Sequence, residues 1–402
     1  MTVVRSLTTL ALVAGMAAVA WAGSAPAGRG AAKEEILPLA PAAVADKGLE
    51  ILWKAEFIPD PGTTLGRLWL RDKYLVACGS DLRIYAINAA TGVRLWSQGT
   101  AKPFQTAWPP ALDKDNLWVA TTTQLLGIDG VTGRIFQTIN LDFAPAGHPV
   151  ANGVYAFVPD AKGWLQAVSL LPQAVPWGRW TEDSVTAGPV LDASLVFFAS
   201  QTGMVYASAQ NVRRVVWEYK TEGAVVGDLA RTDTGLVLIA SLDYSLYAIQ
   251  GTSGRMVWRY NAGEPIRATP HPAGNQVFIF TREAGLTALD AANGRMEWTL
   301  AEGADFIAAD PKVVYVRSRS GDIVGVDRPD GKVRFTLTPL KDAIVAVNDG
   351  TSGVIYVALP GGQAMAVAPK GRAEEAPKKA EPGAESPAAP AAPPAPAAPA
   401  PG

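Results

Sequence analysis

The stretch Ala288-Leu289-Asp290-Ala291-Ala292-Asn293-Gly294-Arg295-Met296-Glu297-Trp298 decides the fold. A small residue stands between apolar ones, a polar turn ends in glycine, and a tryptophan follows. The same order recurs along the chain. The small residues are Ala86, Gly127, Ala167, Ala207, Ala248, Ala288, Gly325 and Ala366, and the gaps between them are 41, 40, 40, 41, 40, 37 and 41. A period near 40 points to propeller blades or a solenoid. The aromatic column reads Trp96, Phe136, Trp177, Trp217, Trp258, Trp298 and Phe335. Ten residues before each small residue lies an apolar one, from Val76 and Leu117 to Tyr315 and Tyr356.

The segments between turns alternate and are rich in Val, Ile, Tyr and Trp, so they read as strands rather than helices. One copy lays out the unit: strands over Ala224–Arg231, Gly235–Leu242, Ser245–Gln250 and Met256–Asn261, with a Gly251–Gly254 turn before the last. Four antiparallel strands in about 40 residues make a β-propeller blade. The small residue is expected where a large side chain would hold neighbouring sheets apart. The aromatic is expected to fill the space that opens away from the axis. Stacking would bury the two apolar faces that a lone blade leaves wet.

The eighth copy offers Ala343–Val347, Gly353–Leu359 and Gln363–Ala368, then runs into proline without a fourth strand. The missing aromatic strand stands at the other end of the chain, Ile51–Phe57, with Trp53 one period before Trp96. It is expected to complete the eighth blade and latch the ring, which removes an open sheet edge. The predicted class is all-β: an eight-bladed propeller of four-stranded antiparallel blades, closed by an N-terminal latch.

The flanks read differently. Arg5 and the apolar run Leu10–Ala20, with small residues at Ala20 and Ala22, read as a signal peptide over 1–22. An uncleaved anchor is the alternative; the apolar run is short for one. Residues 23–47 read as a flexible lead-in, 48–368 as the propeller, and 369–402 as a disordered Pro/Ala-rich tail. The tail is either a spacer or a solubilising extension. These features predict an exported, soluble, extracytoplasmic monomer with no transmembrane segment in its mature part.

Composition narrows the function. The 402 residues carry a formal charge of −2, with 18% charged and 49% hydrophobic residues. No basic excess marks a nucleic-acid binder. One cysteine, Cys78, excludes an internal disulfide, and two histidines, His148 and His271, leave little for a zinc site. Cys78 reads as a small buried residue. The histidines read as hydrogen-bonded groups. Asp129, Asp290 and Asp327, each in a turn, are expected to bond turn amides. Trp69, Trp108, Trp118 and Trp164 fall outside the aromatic column, and an exposed one would be a contact anchor.

The pattern Ala-x-Asp-x-x-x-Gly-x-x-x-Trp resembles the PQQ-like repeat of bacterial quinoproteins and their non-catalytic relatives. Ala288–Trp298 matches in full; Ala86–Trp96 has Asn88 for Asp, and Ala248–Trp258 has Gln250. The copies at Ala167 and Ala207 lack the turn glycine. A quinoprotein dehydrogenase would imply bound pyrroloquinoline quinone (PQQ), calcium, an aspartate base and a vicinal cysteine pair. The single cysteine excludes that pair, and the even repeat length leaves no room for pocket-building loops. The chain also resembles the eight-bladed B components of the outer-membrane β-barrel assembly machinery, which implies envelope protein partners. It departs from them in lacking a lipidation cysteine and in its proline tail. A non-catalytic scaffold without catalytic, metal or cofactor residues is therefore expected, with the dehydrogenase or a ligand-sensing propeller as alternatives. Contact candidates are Arg67, Trp108, His148 and Arg267, 19 to 21 residues before their small residues. Lining or plugging the channel is their alternative role.

Overall fold

The computed structural model describes residues 36–100 and 106–371. The expected signal peptide, most of the lead-in and the tail beyond Gly371 lie outside the described residues. From Leu37 onward the described residues form eight four-stranded antiparallel sheets arranged as a propeller. Blade 1 runs outward from the axis as Leu65–Arg71, Tyr74–Gly79, Arg83–Asn88 and Arg94–Gly99. Blades 2 to 7 follow with innermost strands at Ala111–Asp113, Val150–Ala151, Val190–Leu191, Ala230–Arg231, His271–Ala273 and Gly303–Ala309. Blade 8 has Ile344–Ala346, Ile355–Ala358 and Gln363–Pro369, and its outermost strand is Leu49–Glu56. The latch is real: Trp53 lies opposite Ala366. All-β, eight blades and ring closure by the N-terminal strand are thus as the repeats foretell.

Two expectations are corrected. The first strand of blade 5 is only Ala230–Arg231, rather than Ala224–Arg231, with a single bridge from Val225 to Ser241 ahead of it. The end of the lead-in is structured rather than flexible. Pro41–Asp46 is a short helix with proline in its first turn, where a missing N–H costs nothing. Leu39 and Val44 are 1% exposed and pack with Leu49, Tyr315 and Ile355 between blades 7 and 8.

The register explains the repeat. The small residue lies directly opposite the aromatic of its own outer strand: Ala86 to Trp96, Ala207 to Trp217, Ala248 to Trp258, Ala288 to Trp298 and Gly325 to Phe335. A β-carbon on Gly325 would come within 2.4 Å of Phe335. The small residue therefore makes room for a ring in its own blade, where the sequence suggested space between sheets.

The aromatic does more than fill volume. Five indoles each donate Nε1–H to a turn carbonyl of the next blade: Trp53 to Ala89 (2.9 Å), Trp96 to Gly130 (2.8 Å), Trp217 to Gly251 (2.7 Å), Trp258 to Ala291 (3.0 Å) and Trp298 to Arg328 (2.8 Å). The acceptor is always three residues past the small residue of that next blade. Each indole also lies on that blade's turn glycine, Gly92, Gly133, Gly254, Gly294 or Gly331. These glycines hold φ between 68° and 74°, and a β-carbon there would strike the ring at 2.4 to 2.7 Å. The glycine thus satisfies two demands at once, a left-handed turn and close approach of an indole. The motif is a lock between blades.

Three seams differ. In blade 2 the hairpin between the second and third strands is one residue shorter, so Trp118 rather than Leu117 faces Gly127, while Gln137 faces it from the outer strand at the same spacing as the aromatics of the other blades. Gln137 donates its amide to the Leu170 carbonyl at 3.4 Å, replacing the indole. Phe136, assigned to the column from sequence, covers Gly127 but remains 41% exposed. Trp118 stands on the second strand, in the place that Val76 and Phe278 hold opposite their small residues. Between blades 3 and 4, Trp177 faces a turn without glycine, and its Nε1 has no partner. Between blades 7 and 8, Phe335 has no N–H to give.

Candidate functional site

The innermost strands have a free edge toward the axis, so proline there forfeits no ladder bond. Pro149, Pro189 and Pro270 stand immediately before three of them. These strands and the loops beside them present polar groups from every blade to the channel. Blade 1 gives Arg71, whose Nε donates to the Pro110 carbonyl of blade 2 at 2.7 Å. His148 of blade 3 lies 3.4 Å from Asp228 of blade 5, and the Gly188 amide of blade 4 donates to the same carboxylate at 2.6 Å. His271 of blade 6 meets Asp349 of blade 8 at 2.8 Å and Asp305 of blade 7 at 3.7 Å. Its ring stacks on Phe306 at 5.5 Å. The pairs skip a blade, so they cross the ring as well as follow it.

Electrostatics follow from this crowding. Burial alone would depress the His271 pKa. The hydrogen bond and charge of Asp349, helped by Asp305 and Asp228, outweigh it and hold the pKa above the ordinary 6.5. Burial pushes Asp228 upward, but His148, the Gly188 amide and Arg71 bring it below the usual carboxylate range. Burial dominates for Asp305, whose pKa is raised. For Arg71 burial lowers the pKa against the attraction of Asp349 and Asp228. The Asp349 side chain keeps 57% of its exposure, so channel solvent screens its pair with His271. Among the described residues no group of three or more His, Cys, Asp and Glu is arranged to hold a metal ion.

The contact candidates occupy two situations. Arg67 and Arg267 are exposed, while Trp108 and His148 are half-buried. Arg67 reaches the Ala107 carbonyl at 3.4 Å, which brings it beside Trp108. His148, in the next blade, is engaged instead by Asp228 of blade 5. Arg67, Trp108 and His148 share one register on the inner strands, but the structure joins only the first two locally. Sequence reasoning passed over Arg71, Asp228, Asp305 and Asp349. Arg71 ends the innermost strand of blade 1 and Asp349 lies in the loop after that of blade 8, so no one column of the repeat marked them.

Other expectations resolve as follows. Cys78 is 5% exposed, and burial pushes its thiol up to about 11. Asp129 and Asp290 accept from turn amides two and three residues on, as does Asn88. Asp327 departs from this and pairs with Arg334. Of the four tryptophans set apart, Trp118 is 3% exposed and Trp69, Trp108 and Trp164 are half-buried. Among the described residues the exposed indole is Trp180, at 49%.

A quinone cofactor such as PQQ, a tricarboxylate, would meet Asp228, Asp305 and Asp349, and the cations beside them, Arg71, His148 and His271, are already engaged by those carboxylates. The single cysteine also leaves the vicinal pair unavailable.

Comparison with known proteins agrees with this geometry. The family model described as outer membrane protein assembly factor BamB matches residues 45–219 and 203–376, which together cover the whole propeller. An outer membrane protein assembly factor BamB from Nitrosomonas eutropha is 23% identical over 155 residues, 37% of each chain. A 1-butanol dehydrogenase (quinone) from Thauera butanivorans is 28% identical over 184 residues, 38% of this chain and 29% of its own. The chain thus spans about a third of the length of the curated relatives it matches. Among solved structures, BamB from Moraxella catarrhalis superposes with a TM-score of 0.62 at 14% identity, covering 80% of this chain and 99% of that one. The WD40 domain of Sif2 gives 0.63 at 14% identity, over 80% and 98%. The likeness to the WD40 domain shows the propeller fold alone, whereas the family model spans the repeats themselves. This chain belongs to the family of the outer membrane protein assembly factor BamB, the PQQ-like β-propellers.

Proposed function

We propose that the protein is a non-catalytic, exported, monomeric scaffold that binds proteins of the cell envelope, the β-barrel assembly machinery foremost. The observation that carries this reading is the family match across the whole propeller, from residue 45 to 376. The channel supports it. Among the described residues both channel histidines are paired with aspartates of other blades. No helix among the described residues is long and apolar enough to cross a membrane. The contact face is the channel mouth around Arg67 and Trp108, with His148 and Arg267 farther round the ring.

The test is in-cell cross-linking of the full chain, with captured proteins identified by mass spectrometry. Recovery of barrel-assembly components, and its loss in an Arg67→Ala/Trp108→Ala double variant, is expected. Recovery of none overturns the reading. Unchanged capture by the double variant removes this face from it.

The partial likeness to a quinone-dependent dehydrogenase sustains one alternative. Dye-linked alcohol oxidation by the chain supplied with PQQ and calcium would establish it. We expect no turnover.

A further inference from the structure

Six of the eight seams carry a side-chain N–H lock to the next blade, five indoles and Gln137. The two that do not each hold a cleft, as does the locked seam between blades 6 and 7, where one of about 500 Å³ is lined by Gln276, Glu297 and Arg328. The seam between blades 7 and 8 holds a cleft of about 970 Å³, lined in part by Pro369, Lys370 and Gly371, where the described chain ends. The seam between blades 3 and 4 holds a cleft of about 320 Å³ whose lining lies wholly within the described residues.

The second cleft has a definite chemistry. Its walls include Arg179 and Trp180 of blade 3 and Tyr206, Arg213 and Glu218 of blade 4. Arg179 gives one guanidinium nitrogen to Glu218 at 2.9 Å and lies over the Tyr206 ring at 5.5 Å. Its Nε–H has no acceptor, and neither has the Trp177 Nε1–H in the same seam. Arg213 is exposed and makes no ion pair among those found. Trp180 is 49% exposed, and Val175 and Val212, each close in sequence to a wall residue, are 75% and 53% exposed. Strand Trp177–Trp180 pairs only with Trp164–Ala167, so its outer backbone edge is free. Glu182, at the rim with φ +72°, limits how much negative charge the cleft accepts.

We propose that this seam docks an extended, largely apolar segment of a partner protein that carries a single acidic side chain. The segment lies along the free edge of Trp177–Trp180 as an added strand. An apolar side chain rests on Trp180. The carboxylate takes Arg213, the exposed cation of the cleft wall. Exposed tryptophan and arginine beside a cleft are the residue types that most often anchor such contacts. Glu182 and Glu218 disfavour a polyacidic run. This site lies on the outer strands, away from the channel mouth, and it rests on the scaffold reading.

The test uses the full chain and a fluorescein-labelled peptide of alternating valine and threonine with a central Phe-Asp pair. An Asn counterpart and a tetra-Asp counterpart serve as controls, read by fluorescence anisotropy. We expect saturable binding of the Asp peptide, weaker by about ten-fold or more for both counterparts and for Arg213→Glu and Trp180→Ala chains. Both substitutions are at exposed positions, so melting temperatures should hold. The Arg67→Ala/Trp108→Ala chain should bind the peptide normally. No saturable binding, or equal binding by the Asn peptide or the Arg213→Glu chain, overturns the site. Envelope cross-links that persist without peptide binding overturn the site alone. Peptide binding without any envelope capture overturns the scaffold reading alone.

Discussion

The lock predicts that one conservative substitution costs stability in some blades and not in another. Replacing tryptophan by phenylalanine keeps a ring and removes the N–H. In Trp258→Phe the Ala291 carbonyl loses its 3.0 Å donor in a site where both residues are less than 10% exposed. Removing the donor orphans a buried acceptor, which costs about 1–3 kcal/mol. The smaller ring also leaves a gap over Gly294, so the sum is about 2–4 kcal/mol. In Trp177→Phe the N–H removed has no partner. Relief of an unsatisfied donor then offsets the lost ring volume, and the net change is within about 1 kcal/mol of zero. For a domain this large, each kcal/mol moves the melting point by about 2 °C. Trp258→Phe should therefore melt about 4–8 °C below the parent and Trp177→Phe within about 2 °C of it. Thermal melts by circular dichroism measure both, with Trp298→Phe as a second locked control. Equal losses at all three positions would refute the lock and return the indoles to plain volume-filling.

Two further predictions concern the ring. Deleting residues 48–58 removes the outermost strand of blade 8 and the Trp53 lock, and exposes the edge of Gln363–Pro369. The shortened chain should melt far lower or fail to fold, and an unchanged melting temperature would show that the latch is dispensable. His271 has a raised native pKa, so its pairing with Asp349 is fully present below the unfolded value near 6.5 and is lost as pH rises through the native value. Melting temperature should fall over that window, by a small amount because solvent screens Asp349. Asp349→Asn should flatten the slope, and a parallel slope in that variant would remove His271 from the account.

The repeat was legible because its demands are local. A small residue must face a ring across one hairpin, and a turn glycine must hold φ near 70°, and both recur every 40 or so residues. The absent fourth strand of blade 8 was legible for the same reason, as a missing column with its match at Trp53. Phe136 shows the limit. The outer hairpin of blade 2 keeps the spacing of the other blades, so the column falls on Gln137 and not on Phe136, and a glutamine carries no sign in sequence that it will replace an indole. The lead-in hid Leu39 and Val44 within an Ala/Pro-rich stretch whose composition suggested flexibility.

By itself, then, the sequence determined the unit, the number of blades and the closure, since each follows from neighbours along the chain or from periodicity. Tertiary structure alone decided what each donor meets. The carbonyl that Trp217 needs is 34 residues away, the carboxylate that His148 meets is 80 away, and that of His271 is 78 away. Whether Trp177 finds an acceptor depends on the turn of another blade. Hydrogen bonds and ion pairs act over a few ångströms, and only the closed ring brings residues so distant in sequence within that range.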